Sequence, residues 1–423
     1  MSETRERNEP AAELAGAAEA YDREDELAAK RAEFVLDDST VYLDGNSLGA
    51  LPRSVPDRVA DVVAREWGRL RIRSWSESGW WQAPERIGDR IAPLVGAAPG
   101  QIVVGDSTSV NVLKAVVGAL RVVRAGSGAD DRRRDGGEVL VDAGTFPTDG
   151  YIAESAARMT GARVRAVPAD EMADAVGPNT AVALVNHVDY RTGELRDVAE
   201  VTEALHRTGG RVVWDVCHSA GALPVELDAT GADFAVGCTY KYLNGGPGSP
   251  AFLYVRRELQ HRFDSPLPGW NSHSEPFAMS ADYVPAEGAP RGRVGTPDIL
   301  SMLALEEALR VWDGVGIGAV RAKSLALSDF FLRCVRQYVP GAGGADGPVR
   351  SATPEEHARR GSQIALHCPD AADVTRELLD RGVVIDHRPP DTLRFGFTPL
   401  YTSFADVERA ARTLGDVLRA RRP

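Results

Sequence analysis

Residues 211–250 read RVVWDVCHSAGALPVELDATGADFAVGCTYKYLNGGPGSP. Two β-rich runs, 212–214 and 234–236, each end on polar chemistry. The first reaches Asp215, with His218 three residues on. The second leads through Thr239 and Tyr240 to a single lysine, Lys241, and then to Asn244-Gly245-Gly246-Pro247-Gly248. Runs apolar at consecutive positions suit strands buried on both faces, as in a mostly parallel sheet covered by helices. Open α/β sheets bind ligands beyond the C-terminal ends of their strands, and Asp215 and Lys241 both fall there.

The same alternation extends over about residues 100–260. Strand candidates are 101–104, 139–141, 163–167, 181–185, 212–214, 234–236 and 251–255, with amphipathic stretches such as 197–207 between them. An α/β large domain is expected. Beyond 300 the pattern changes to helices at 300–312 and 317–338, a Pro/Gly-rich loop at 340–348, and strand 362–367. Helix 371–381, strands 383–386 and 392–397, and a helix from Phe404 follow. This is a small α+β domain. The expected partition is an N-terminal segment, 1–80, packing with the small domain, then 81–300 and 301–423.

Composition narrows the function. Of 423 residues, 49 are Lys or Arg and 61 are Asp or Glu, a net charge of −12. That balance argues against nucleic acid or an anionic membrane as partner. The arginines of loop 126–137 are largely neutralised by Asp130, Asp131 and Asp135. No run approaches the roughly 18 apolar residues of a membrane span, and residues 1–30 lack the build of a signal peptide. Four scattered cysteines, Cys217, Cys238, Cys334 and Cys368, make neither a disulfide scaffold nor a zinc site. Reduced, buried thiols in a cytoplasmic protein are expected. GxGxxG between strand and helix, Walker, HExxH and Gly-x-Ser-x-Gly motifs are absent.

Taken singly, Asp215 could cap a turn and Lys241 could be solvated. Tyr240 and Tyr242 flank the lysine and partly desolvate its amine, which favours the nucleophilic form. A carboxylate for a pyridinium nitrogen and an amine for an aldehyde are the two polar anchors of pyridoxal phosphate. Asp106-Ser107-Thr108-Ser109 opens the helical stretch 110–123, where hydroxyls and free N–H groups either bind an anion or cap the helix. Phe146-Pro147-Thr148-Asp149 places a ring and a carboxylate at another strand end, the ring either stacking on a cofactor or joining the core.

These stretches resemble the kynureninase family, pyridoxal-phosphate enzymes of the fold-type-I aminotransferase superfamily. The resemblance runs from about residue 41 to 400. It rests on LDGNSLG (43–49), FPTD (146–149), WDVCHSAGALPVEL (214–227), ADFAVGCTYKYLNGGPGSPAFLYV (232–255), PGW (268–270), VGTP (294–297) and LRFGFTPLY (393–401). It implies that Lys241 forms the Schiff base with pyridoxal 5'-phosphate, that Asp215 pairs with the ring nitrogen, and that His218 lies beside it. Thr108 and Ser109 would hold the phosphate, Phe146 would stack on the ring, and Asp149 would support its polar edge. Asn186 stands where the family usually has a small hydroxyl residue near the cofactor. Tyr240 would contact the phosphate and relay protons, making Lys241, Tyr240 and Asp215 the catalytic set. Trp270 and Thr296 would reach the phosphate region of a partner subunit in a homodimer with shared active sites. Ser47 and Arg394 would face the substrate, the guanidinium suiting an α-carboxylate.

The implied reaction is hydrolytic Cβ–Cγ cleavage of L-kynurenine, or a ring-substituted relative, to an anthranilate and L-alanine. It would serve tryptophan catabolism and NAD biosynthesis, or a branch toward a secondary metabolite. No metal is implied. The stretch 66–81, EWGRLRIRSWSESGWW, where animal members use a histidine toward the substrate ring, has none. Two rivals remain: a cysteine desulfurase or selenocysteine lyase, which needs a reactive thiol on a mobile loop, and a catalytically silent homologue that binds the cofactor.

Overall fold

The structure, a computed structural model, describes residues 11–128, 131–344 and 347–421. Residues 1–10, Asp130 of the charged loop and residues 345–346 of the Pro/Gly-rich loop lie outside the described residues. The chain forms two compact units. One comprises Ser54–Tyr190 and Leu195–Asp313. The other holds the described residues up to Arg53, Arg191–Glu194, and those from Gly314 on. The boundaries fall at 53/54 and 313/314, whereas the sequence partition placed them at 80 and 300.

The larger unit is built on a seven-stranded sheet. Its strands are β1 (Ile102–Val104), β2 (Glu138–Asp142), β3 (Arg163–Val167), β4 (Thr180–Asn186), β5 (Arg211–Asp215), β6 (Phe234–Gly237) and β7 (Phe252–Val255). Their spatial order is β1-β7-β6-β5-β4-β2-β3. Pairs β3·β2, β2·β4, β4·β5 and β5·β6 are parallel, and β7 runs antiparallel to both β6 and β1. All seven residues of β4 are buried, as expected of a strand covered on both faces.

Helix α1 (Thr108–Gly126) lies against β4, β5 and β6 and carries Val112, Val116 and Leu120 into the core with Leu184, Val213 and Val236. Helix α2 (Pro147–Thr160) packs beside α1. Helix α3 (Val198–Thr208) starts at Asp197, whose Oδ1 accepts the Glu200 N–H at 3.0 Å. The expected helix 300–312 is α-helical only over Ile299–Ala308 and tightens to a 3₁₀ turn at Leu309–Trp312. In the charged loop, Asp131 pairs with Arg133 at 2.6 Å.

The smaller unit has a four-stranded antiparallel sheet. Its strands are β8 (Arg350–Ser351), β9 (Gln363–His367), β10 (Asp386–Arg388) and β11 (Thr392–Gly396), in the order β10-β11-β9-β8. Helices Ile317–Tyr338 and Phe404–Ala420 pack together, and helix Ala11–Glu24 joins the latter. The expected single strand 383–386 is a correction. Val383–Val384 pairs in parallel with Val41–Tyr42, while Asp386 begins β10 in the other sheet. Residues on either side of Ile385 thus serve two sheets, which the short apolar run could not reveal. Loop 44–48 lies directly on β11. A methyl group at Gly45 would overlap the Thr398 hydroxyl, and one at Gly396 would overlap the Asn46 amide oxygen. The two glycines are what permit that approach.

Candidate active site

In the larger unit, strand ends and helix starts converge on one cavity of about 110 Å³. It is lined by Thr108 and Ser109 at the start of α1, Phe146 and Asp149 at the start of α2, and Asn186 ending β4. Asp215 ending β5, His218, Tyr240 and Lys241 complete nine of the eleven cofactor positions expected from sequence. Parallel strands aim their C-terminal ends the same way, so residues far apart in sequence meet there.

Asn186 organises the acidic side. Its Nδ2 donates to Asp149 Oδ2 at 2.8 Å and to Asp215 Oδ2 at 3.0 Å. Its Oδ1 accepts from Thr145 Oγ1 at 2.6 Å and from the Phe146 N–H at 3.1 Å. A small hydroxyl could not make all four bonds, since it has one hydrogen to donate. Asp215 Oδ1 accepts the Cys217 N–H at 2.7 Å. Burial, and then the charge of Asp215, push the Asp149 carboxyl well above the usual range.

Lys241 Nζ lies 3.1 Å from His218 Nε2 and 5.8 Å from the centre of the Tyr240 ring. Tyr242 is buried in the core. Burial, reinforced by the Cys238 and Cys217 thiols, raises the Tyr240 phenol strongly. Ser107 caps α1, its Oγ accepting the Val110 N–H at 3.4 Å, and leaves Thr108 and Ser109 at the helix N-terminus. Phe146 is 42% exposed, with its ring edge-on to Tyr190 at 5.2 Å. Thr148, Tyr190 and Cys217 also line the cavity and were not singled out as site residues. Tyr190 lies four residues past β4, so the strand-end rule could have found it.

Trp270 and Thr296 do not line this cavity. Trp270 is 39% exposed and packs on Trp81 and Phe277. Thr296 is exposed and lines a second cavity of about 560 Å³, shared with Ser107, Thr108 and Tyr240. In the glycine run, Gly248 also lines that cavity, while Gly245 packs inside the fold against Ser249 and Leu305.

The smaller unit holds the substrate-side candidates in a cluster of their own. Arg394 is 1% exposed. Asp386 is its direct cross-strand partner. Arg394 Nε donates to Asp386 Oδ1 at 2.7 Å, and Nη2 donates to Asp386 Oδ2 and to Ser47 Oγ, the latter at 3.1 Å. Ser47 Oγ donates to Asp386 Oδ2 at 3.0 Å. Burial would raise Asp386, but Arg394, with Arg388 and the Ser47 hydroxyl, holds it below the carboxylate range.

The donor set of the cavity fits pyridoxal phosphate. It offers an amine for the aldehyde, a carboxylate for the ring nitrogen, an exposed aromatic face, and hydroxyls at a helix N-terminus for the phosphate. Among the described residues no cluster of side chains could hold a metal ion, and no helix is long and apolar enough to cross a membrane.

The kynureninase of Deinococcus radiodurans is 47% identical over 415 residues, which cover 97% of each chain. The chain belongs to the kynureninase family. Residues 320–414 match the Kynureninase C-terminal domain and residues 41–358 match Aminotransferase class-V. Among solved structures, the cysteine desulfurase CsdA from Escherichia coli superposes with a TM-score of 0.75 at 19% identity. That similarity covers 93% of this chain and 98% of the other. The cystine C-S lyase C-DES, solved as a mutant with glycine covalently linked to its pyridoxal-phosphate cofactor, gives 0.74 at 19% identity, covering 91% and 98%. These two likenesses show the fold alone. The kynureninase family is an enzyme family that uses pyridoxal 5'-phosphate, and the donor set of the cavity fits that cofactor. All four cysteines are buried, and burial pushes the Cys368 thiol up to about 11. Neither fact favours the desulfurase rival, which needs an accessible, ionisable thiol.

Proposed function

We propose that this member of the kynureninase family hydrolyses the Cβ–Cγ bond of L-kynurenine or a ring-substituted kynurenine, with Lys241, Asp215 and Tyr240 as its catalytic residues. The observation that carries this reading is that the Lys241 amine and the Asp215 carboxylate line the same cavity. The bound cofactor supplies an electron sink for the pair released at Cα and, after a proton shift, at Cβ.

Lys241 Nζ would hold the cofactor aldehyde and, as a free amine, would take the Cα proton of the substrate. His218, 3.1 Å away, orients that amine. Asp215, held by Asn186 and the Cys217 N–H, keeps a proton on the ring nitrogen. Asp149, raised by burial, shares the Asn186 amide and supports the ring's polar edge. Tyr240, which lines the cavity beside Lys241, is the proton relay. It serves the Cβ carbanion that leaves when water has added to the γ-carbonyl. Phe146 stacks on the ring, and Thr108 and Ser109 take the phosphate at the N-terminus of α1. Arg394, with Ser47, binds the α-carboxylate.

The assembly is a cytoplasmic homodimer in which Trp270 and Thr296 reach the partner's phosphate. Their exposure in the single chain supports this reading. The reaction belongs to tryptophan catabolism, where it supplies anthranilates for NAD biosynthesis or a secondary metabolite. The deciding assay adds L-kynurenine and 3-hydroxykynurenine in parallel to cofactor-loaded protein and follows anthranilate fluorescence and alanine. Sulfide release from L-cysteine without anthranilate would replace this reading by the desulfurase one. A bound cofactor with no product from any kynurenine would leave a silent homologue.

A further inference from the structure

Lys114 is a lysine almost wholly removed from solvent, at 1% exposed, and the chemistry above makes no use of it. It sits two turns into α1. Its Nζ reaches back to donate to Asp106 Oδ2 at 2.8 Å and to the Gly292 carbonyl at 2.8 Å. Asp106 has φ +57°, the left-handed region that a residue with a Cβ enters at a cost. It immediately precedes Ser107, the cap of α1, and the Thr108–Ser109 pair at the helix N-terminus. A second side chain of α1 pins the same turn, because Asn111 Nδ2 donates to the Gly105 carbonyl at 2.9 Å. Gly292 opens the loop that carries Thr296, and Lys114, Asp106, Thr108, Gly292 and Thr296 line one cavity.

We propose that Lys114 is a positioning residue for the cofactor's phosphate, locking the Asp106 turn and the Gly292 loop and neutralising the Asp106 carboxylate beside the phosphate-binding helix end. This rests on the reading of Thr108 and Ser109 as phosphate ligands. The physical reason is twofold. The N–H groups of a helix N-terminus bind a phosphate only if the turn before them is held in register. An unbalanced carboxylate on that turn would repel a phosphate dianion. Lys114 meets both needs with one buried amine. It therefore acts on the phosphorylated form of the cofactor and leaves the contacts of the pyridine ring and aldehyde untouched.

That selectivity gives the test. Cofactor-stripped full-length protein is titrated with pyridoxal 5'-phosphate and, separately, with pyridoxal, reading visible absorbance. In Lys114→Met the dissociation constant for pyridoxal phosphate is expected to rise at least tenfold, while that for pyridoxal stays within about twofold. Inorganic phosphate should compete with pyridoxal phosphate less well in the variant. Adding Asp106→Gly to Lys114→Met should recover part of the loss, because glycine accepts φ +57° and the stray charge is gone. If Lys114→Met does not fold, Lys114→Gln, which keeps a hydrogen-bond donor but no charge, should show the same selective loss. Equal weakening of both ligands, or an unchanged constant for pyridoxal phosphate, overturns the proposal. Parent protein that binds pyridoxal no more weakly than its phosphate overturns the phosphate-site reading itself.

Discussion

Lys241 has a histidine nitrogen and an aromatic ring as neighbours, and the site contains no other lysine amine. Lys241→Ala is therefore expected to lower turnover at least about 10³-fold and to abolish the visible absorbance of cofactor-loaded protein. Steady-state assays and a spectrum check both, and near-parent activity would remove the central role of the lysine. Arg394 is held by two donors to Asp386, a geometry that an ammonium cannot reproduce. Arg394→Lys should raise KM for kynurenine by about tenfold, roughly 1.4 kcal/mol, with a smaller change in kcat. Asp44 lies in the same cluster. Burial, and then the charge of Asp386, raise its carboxyl to about 6. The folded state thus holds a proton that the unfolded state, with a carboxyl near 4, releases sooner. Stability contributed by this group is full below about pH 4 and is lost as pH rises through about 6. Asp44→Asn should remove that fall, which melting temperatures measured from pH 4 to 7 would show.

At the scale of elements, Asp197 and Ser403 each stand immediately before a helix and cap it. Asp197 Oδ1 accepts the Glu200 N–H at 3.0 Å. Ser403 Oγ accepts the Asp406 N–H at 3.0 Å, and Asp406 Oδ2 accepts the Ser403 N–H at 3.1 Å, a reciprocal capping box on helix Phe404–Ala420. Ser403→Ala should cost about 1 kcal/mol and lower the melting temperature of the unit it closes, as calorimetry would register. Strands β4 to β6 were legible because strands buried on both faces carry unbroken apolar runs, whereas the edge strand β3, RVRAV, alternates and is buried only at Val167. The segment 383–386 was not. Four residues have no periodicity long enough to show that the chain changes sheets at Ile385. The role of Asn186 was equally hidden, because nothing local to residues 180–186 announces two carboxylates arriving from α2 and β5.

At the scale of the whole molecule, the proposed homodimer makes a complementation prediction. Lys241→Ala chains and Trp270→Ala/Thr296→Ala chains should each be inactive alone. Mixed and allowed to exchange subunits, they should regain up to about a quarter of parental activity, because one site in each heterodimer has both its own lysine and an intact donated loop. A protein that sediments as a monomer and still binds cofactor tightly would sink the shared-site arrangement. So would a mixture that stays inactive although mass spectrometry detects heterodimers.

By itself the sequence determined the α/β class, the strands of the large sheet and the family. These depend on local patterns and on the long motif around Lys241, which are properties of neighbouring residues. It also named Lys241, Asp215, His218 and Tyr240, because strand ends in a parallel sheet gather on one side. Only the tertiary structure decided which groups answer one another. The Asn186 bridge between Asp149 and Asp215, the Asp386 partner of Arg394, and the Lys114 amine beneath the Asp106 turn each join residues whose meeting is set by chain packing. A hydrogen bond depends on position to a few tenths of an ångström, and no periodicity in sequence carries that information.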